Sequence, residues 1–495
     1  MLRLAAILAL FAAIEAALIA GRVCPARDGA RYIQQALRFD AESPVDVIRG
    51  SPDHPGYALL LNGAFRIGRR LGLESPRELV LKAEVVSAAC GIAIIIIAFF
   101  AARRLLGLLP ATAGLLAFVL LPRPANHLSD VLSDPLHAAL WLGAASLVMA
   151  GIQTRRMAPF FLGGLAGGLA YWARVDALTL PASAAAALAL LACIPGRERW
   201  PALRAARALA IHLAGFALVL GAFVAVKGEL SGEGAGRAIL GAAPRVEIPR
   251  APGQREIVLA GAGESIAEVL MAVGQEVQFV HLVYLGCAVA AAFKLRRLRG
   301  GGVFVVAAAA VYAATLFAVR DRAGYVAGRY ALPILPLLVP VGIWGVLRAG
   351  IDLERSWKRG WRLGGARALV WSAVALSVGV SLPSFLGHRP HDTFHGVMRA
   401  GEWVRDHARD GGRVLDPYFY PTFVAGIPER AIPDSAAPAE TGPFHAIAQD
   451  RDLGGLPAIR SLIESGRARE VASFPRRPGG KDPEVRVYEV APAGK

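Results

Sequence analysis

The sequence predicts an all-α polytopic membrane protein carrying a small C-terminal α/β domain. The first observation is bulk composition: 495 residues that are 55% hydrophobic, with a mean hydropathy of +0.47, exceed what a soluble core needs. The second is arrangement, because the apolar residues gather in long runs separated by short basic clusters. The third is a change of character beyond His388, where apolar runs shorten, charges mix and Pro and Gly punctuate the chain. A division into residues 1–387 and 388–495 follows.

A bilayer core needs roughly 20 apolar residues per helix, fewer where neighbours bury the helix. About eleven spans meet that standard, near 2–20, 79–102, 107–122, 135–151, 158–172, 177–194, 208–227, 278–293, 303–319, 331–348 and 368–387. The first has a charged start and apolar core like a signal peptide, but no small-residue cleavage site precedes Asp28, so an uncleaved span is expected. The stretch from Gly56 to Leu71 is apolar yet ends in Arg66, Arg69 and Arg70, as an interfacial or re-entrant segment would.

Alternate loops are basic: Arg103-Arg104, Arg155-Arg156, Arg197 to Arg207, Lys294 to Gly300 and Arg348 to Arg367. The positive-inside rule puts these loops and the N-terminus in the cytoplasm, and the loops near 21–78, 123–134, 173–176, 228–278 and 320–330 outside. The net charge of +16 therefore reads as topology signal and contact with anionic lipid, not as a nucleic-acid surface. Cys24, Cys90, Cys193 and Cys287 lie far apart, which argues against a disulfide framework or a zinc site.

In the C-terminal part, "FHGVMRAGEWVRDHARDGGRVLDPYF" reads as an amphipathic helix with Val397, Ala400, Trp403 and Val404 on one face. Gly411-Gly412 stops it and a short strand follows. "AIRSLIESGRAREVASFP" and "EVRVYEV" add a helix and alternating strands. An odd number of spans places this domain outside.

The informative residues sit in the outer loops. Asp28 precedes Tyr32 by one helical turn in "RDGARYIQQA", where it reads either as an N-cap or as a general base for an acceptor hydroxyl or amine. Asp53-His54-Pro55-Gly56 is a turn, and His54 is either packed in it or a polar contact to substrate. "HLSDVLSDPLHAAL" sets Asp130 and Asp134 one turn apart. One acid serves as a cap, and the pair could hold a substrate cation, a metal or an arginine.

"YWARVDA" adds Arg174 and Asp176, and "RDRAGYVAGRYALPILPLL" adds Arg320, Arg322, Arg329 and Tyr330. Three outer arginines against Asp321 alone run counter to the charge bias and ask for an anion such as a lipid phosphate or pyrophosphate. The alternative is local pairing of Arg320 with Asp321 or Arg174 with Asp176, the rest reaching headgroups. No outer loop shows a dense ligand cluster, which leaves a divalent cation possible but unassigned. No Gly-rich nucleotide loop occurs, and "GGLAGGLAY" at Gly163 to Tyr171 reads as close helix packing.

The succession "DGARY", "DHPGYALLL", "LSDVLSDPL", "GLAGGLAYWARVDALTLP", "GRYALPILPLLVP" and "GEWVRDHARDGGRVL" resembles the GT-C glycosyltransferases. Within them it is similar to bacterial relatives of dolichyl-phosphate-mannose protein mannosyltransferases and of the lipid A aminoarabinose transferase. The resemblance runs over essentially the whole chain, through short motifs whose specificity lies in their order. It implies an enzyme of the bacterial inner membrane that moves a sugar from a polyprenyl-phosphate-linked donor to a protein, lipid or polysaccharide acceptor at the outer face, usually with inversion.

By that resemblance Asp28 matches the catalytic acid of the first loop. Tyr32 and His54 match pocket positions, Asp130 or Asp134 the acidic element of the second loop, and Arg174 and Arg329-Tyr330 the groups that approach the donor phosphate. Asp28-Gly29 replaces the Asp-Glu pair of many relatives, so a second carboxylate is missing there, and "RVDA" replaces the commoner "RPE". The competing classes are a transporter or flippase of a lipid-linked substrate, which expects ionisable residues near mid-membrane, and a noncatalytic scaffold. Glu15, Glu84 and His212 are the charged or polar residues within spans that a transporter would need.

Overall fold

The computed structural model describes residues 1–22, 24–72, 75–193, 199–230, 262–295, 300–323, 327–356, 364–387, 395–408, 412–416, 420–426, 431–432, 443–450, 453, 456–475 and 483–491. Residues 231–261 of the loop expected over 228–278, parts of the basic loops at 197–207, 294–300 and 348–367, and Gly411 of the expected helix stop lie outside the described residues.

Helices α1 (Leu2–Gly21), α2 (Arg27–Ala41), α3 (Pro44–Gly50) and α4 (Gly56–Arg69) open the chain. Only α1 is a span. Helix α2 is amphipathic, with Tyr32, Ile33 and Ala36 buried against Tyr57, Leu61 and Phe65 of α4. The stretch from Gly56 to Leu71 contains α4, whose Arg66 and Arg69 turn back onto Asp40 of α2 at 2.9 and 2.5 Å.

Helix α5 (Pro76–Leu106) starts in a capping box, the Ser75 hydroxyl accepting from the Glu78 amide and the Glu78 carboxylate accepting from the Ser75 amide. Helices α6 (Leu108–Val119), α7 (Pro122–Ser129), α8 (Asp134–Thr154), α9 (Ala158–Ala173), α10 (Thr179–Cys193) and α11 (Ala202–Lys227) follow. Then come α12 (Ala262–Glu276), α13 (Val280–Leu295), α14 (Gly300–Ala323), α15 (Leu335–Ser356) and α16 (Gly364–Gly387).

Among the described residues eight helices are long and apolar enough to cross a membrane, or ten if the bent pairs α6/α7 (71°) and α12/α13 (106°) each count as one. Helix α9 has only 16 residues and completes the expected set of apolar runs. Its glycines let three helices approach it, Gly163 facing α8, Gly167 facing Leu180 of α10, and Gly164 and Gly168 facing α11. A Cβ at Gly164 would run into the His212 carbonyl and one at Gly215 into the Phe161 carbonyl. His212 itself bonds the Phe160 carbonyl at 3.1 Å, and Glu84 pairs with Arg22 at 3.0 Å, so two of the in-span polar residues are packing elements.

Beyond the bundle, α17 (His395–His407) packs on a five-stranded sheet in the order β2-β1-β3-β5-β4, built from β1 (Arg413–Leu415), β2 (Ala431–Ile432), β3 (Phe444–Gln449), β4 (Ala468–Pro475) and β5 (Pro483–Val490). Strand β1 runs parallel to β2 and β3, whereas β5 is antiparallel to β3 and β4. Short helices α18 (Tyr420–Val424) and α19 (Pro457–Glu464) flank it. Val397, Ala400 and Val404 of α17 are fully buried, in one cluster with Val414, Ile447, Val485 and Val487 of the sheet and with Cys24 and Ala30 of the first outer segment. The sheet-bearing part therefore rests directly on α2.

Replacing Gly164 by Val should force α9 and α11 apart and cost on the order of 2–3 kcal/mol, as overpacking typically does. Thermal unfolding in detergent checks this, against Gly221→Val on the same helix pair's open surface, where a Cβ meets nothing within 4 Å.

Candidate active site

The site is assembled by the close approach of α2 to the loop that joins α7 to α8. The Asp130 carboxylate is buried, and its Oδ1 accepts from the amides of Ala26 at 3.0 Å and Val131 at 2.8 Å. One oxygen thus ties the chain entering α2 to the second outer loop. Gly29 makes the contact possible, since a Cβ there would lie 2.8 Å from the Val131 carbonyl oxygen. The glycine that replaces an acid in "DGARY" is thus a packing requirement. Behind this joint Arg22 donates to the Ser129 carbonyl at 2.5 Å, to the Asn126 side chain at 3.0 Å and to Glu84 at 3.0 Å.

With α2 so placed, Asp28 in its first turn points along the mouth of the bundle, its side chain 34% exposed. Oδ1 accepts from Arg31 Nη2 at 3.0 Å and Oδ2 from Arg329 Nη2 at 3.2 Å. Arg329 and Tyr330 sit on a 3-10 turn, Gly328–Ala331, just before α15. The carboxylate of Asp134, ahead of that of Asp28, raises the proton affinity of the Arg329 guanidinium, which is charged at every ordinary pH.

Asp134 opens α8, buried, and pairs with Arg174 Nη1 at 3.2 Å. Arg174 also holds Asp176 at 3.1 Å through Nε, and its guanidinium lies over the Tyr330 ring, 5.2 Å from the centroid. Asp176 stands 3.3 Å from His137 Nδ1. Acids and arginines thus alternate from Asp28 through Arg329, Asp134 and Arg174 to Asp176. Tyr32 supports the row from beneath, its hydroxyl donating to Ser133 at 2.9 Å while its ring meets Tyr57 edge-on.

The remaining expected residues lie outside the row. Asp130 is the backbone tie. His54 is 1% exposed, its Nδ1 2.8 Å from the Tyr171 carbonyl and its ring stacked on Phe223 at 5.2 Å, which makes it the anchor of its turn. Arg320 is buried against α12, where it pairs with Glu268 in place of the neighbouring Asp321. The side chain of Arg322 lies outside the described residues.

Sequence reasoning passed over Arg31 and a second acid beside the 3-10 turn that carries Arg329. That acid is Glu276 at the end of α12, buried, 3.4 Å from His127 and 3.7 Å from Arg123, with its side chain pressed on Gly328. No local pattern marks it, because the bend between α12 and α13 brings it there. Among the described residues no group of three or more His, Cys, Asp or Glu side chains is arranged to hold a metal ion. A cavity of about 320 Å³ between α5 and α8 is lined by Ile97, Phe100, Arg104 and Gln153, in the half of α8 away from Asp134, and shares no residue with the row.

No protein-family model matches this sequence, and no curated protein does. Solved structures match in fold. ArnT from Cupriavidus metallidurans, bound to undecaprenyl phosphate, is 16% identical over 98% of this chain and 97% of its own, with a TM-score of 0.56. The Archaeoglobus fulgidus oligosaccharyltransferase in its apo form is 11% identical over 99% of this chain and 74% of its own, at a TM-score of 0.60. AglB from Archaeoglobus fulgidus, in complex with an inhibitory peptide and a dolichol-phosphate, is 12% identical over 85% and 59%, at 0.53. The chain shares the fold of these solved structures.

Burial in an apolar niche lowers the His54 pKa from 6.5 to about 4. An unfolded chain binds this proton near pH 6.5 and the folded one only near 4, so stability is lost as pH falls through that window, by about 1.4 kcal/mol per pH unit. Melting temperatures between pH 7 and 4.5 should show this slope, and His54→Gln should flatten it.

Proposed function

We propose that this protein is a membrane glycosyltransferase that moves a sugar from a polyprenyl-phosphate-linked donor to an acceptor at the extracytoplasmic face, with Asp28 as the base. The observation that carries the reading is the contact of Asp28 with Arg329, 3.2 Å, beside Asp134, Arg174 and Tyr330. A group able to take a proton and groups able to hold a phosphate thus share one mouth. The fold neighbours support the donor class, since one is bound to undecaprenyl phosphate and another to a dolichol-phosphate.

The chemistry follows from these two poles. The acceptor hydroxyl or amine gives its proton to an Asp28 oxygen as its lone pair attacks the anomeric carbon. The bond from that carbon to the phosphate oxygen breaks on the opposite side, its electron pair leaving with the polyprenyl phosphate. Charge builds on the departing phosphate, and Arg329, with Arg174 behind it, faces that charge from a fixed position. Tyr330 lies against the Arg174 guanidinium, and Asp134 and Asp176 hold that guanidinium in place.

A scaffold would leave the outer arginines and Asp28 scattered, and their contact weighs against that alternative. A transporter would place its ionisable residues at mid-membrane, whereas the row lies at helix ends: the first turns of α2 and α8, the end of α9 and the turn before α15.

Asp28→Asn should lower transfer from undecaprenyl-phosphate-linked sugars by a factor of about 10²–10⁴ while still binding undecaprenyl phosphate. Arg329→Gln should weaken retention of that lipid, read by native mass spectrometry, as well as transfer. Unimpaired transfer by the Asp28 variant would remove the base assignment.

A further inference from the structure

The turn Asp53-His54 sends its two polar side chains in different directions. His54 goes inward as the anchor of the turn, and Asp53 faces the site, its Oδ1 3.3 Å from Arg31 Nη2. That same nitrogen donates to Asp28 Oδ1 at 3.0 Å, so two carboxylates share one guanidinium nitrogen. The second carboxylate absent at Gly29 is supplied from another segment.

This turn is rigidly held. Lys227 at the end of α11 donates to the carbonyls of Ile48 at 3.0 Å, Arg49 at 3.3 Å and Ser51, and Arg49 returns a bond to the Val226 carbonyl at 3.0 Å. The Asp53 amide donates to the Ser51 hydroxyl at 3.2 Å. On the far side Gly56 abuts the Trp172 carbonyl, which a Cβ would approach to 2.7 Å. Asp53 therefore cannot drift toward solvent without unseating α3.

Such rigidity matters because Asp28 receives an arginine on each oxygen. An acceptor reaches the carboxylate only at an oxygen with a lone pair left open, and closure of Arg31 onto Asp28 in a two-bonded fork would leave fewer of them. We propose that Asp53 is a positioning residue that keeps Asp28 competent as a base, by holding Arg31 between the two carboxylates and by facing Asp28 with a second negative charge. This rests on the reading of Asp28 as the base.

The charges around the pair are few. Asp53 is faced by Arg31 and Asp28 from α2 and by Lys227 from α11, with Glu229 3.8 Å behind Lys227. Asp28 is faced by Arg31, by Arg329 from the 3-10 turn and by Asp53, with Asp134 acting through Arg329. Burial, partly offset by Arg31, raises the Asp53 carboxyl from its ordinary value, and the charge of Asp28 adds to the rise.

The test needs no knowledge of the sugar or acceptor. A carbodiimide labels only protonated carboxyl groups, so the pH midpoint of labelling at Asp28, read by peptide mass spectrometry on the detergent-solubilised protein, reports how readily that group takes a proton. In Asp53→Asn the midpoint at Asp28 should move to lower pH by about half a unit or more, because a negative charge is gone and Arg31 is free to close on Asp28. Asp53→Glu should restore most of it. In an Arg31→Gln background the Asp53→Asn shift should shrink, since the shared cation is absent.

Transfer from undecaprenyl-phosphate-linked sugar should fall about tenfold in Asp53→Asn through kcat, with KM for the lipid donor unchanged, as for a displaced catalytic group. Asp53→Ser serves equally if the Asn variant does not fold. A midpoint that stays put or rises in a folded variant overturns the inference. If Asp28→Asn is inactive while Asp53→Asn leaves the midpoint unmoved, the inference about Asp53 falls and the base reading stands. Full activity in Asp28→Asn instead removes the base reading beneath it.

Discussion

Everything at the mouth of this bundle depends on one carboxylate oxygen. Asp130 Oδ1 accepts two backbone amides from segments more than a hundred residues apart in the chain, and so fixes the distance between α2 and the start of α8. A buried carboxylate is tolerated only when its lone pairs are satisfied, so this joint has little freedom to slide. Gly29 on one side and the Val131 backbone on the other leave no room for a looser arrangement. The register of Asp28 against Arg329, and of Tyr32 against Ser133, follows from that joint.

The charged row obeys a related constraint. Acids and arginines at the edge of a low-dielectric bundle must be paired to be present at all, and alternation satisfies each by two neighbours. Asp134 serves Arg174 in direct contact and Arg329 through its charge, and Arg174 serves Asp134 and Asp176. A site built this way holds its cations in place before any anion arrives. The positive charge of these arginines is thereby balanced by carboxylates within the protein.

The sheet-bearing part contributes through contact, not through polar side chains in the row. Cys24 and Ala30 are buried in the same apolar cluster as Val397, Ala400 and Val404, so the helix carrying Asp28 is packed from above by α17 and from beside by α4. A helix of 15 residues with so polar a composition would be marginal alone in water. Here tertiary burial on two faces supplies its order.

Some of this was legible in the sequence by itself. Long apolar runs, alternate basic loops and period-two strands near the end determine a membrane bundle with a small sheet, because burial periodicity and hydropathy are local properties of the chain. The acids and arginines of the outer loops were legible as a set for the same reason, since a charge beside an apolar run stands out. Their partners were not. Asp130 and Asp134 look alike in sequence, yet one became a backbone tie and the other an arginine partner, and the Asp53-His54 turn aims the acid at Arg31 and the imidazole at Phe223. Arg320 reads like Arg329 but faces α12, and Glu276 joins the site through a 106° bend. Only tertiary structure decided these, because which side of a helix end or turn faces the mouth depends on the packing of other helices, from α9 and α11 to the α12/α13 bend, distant in the chain.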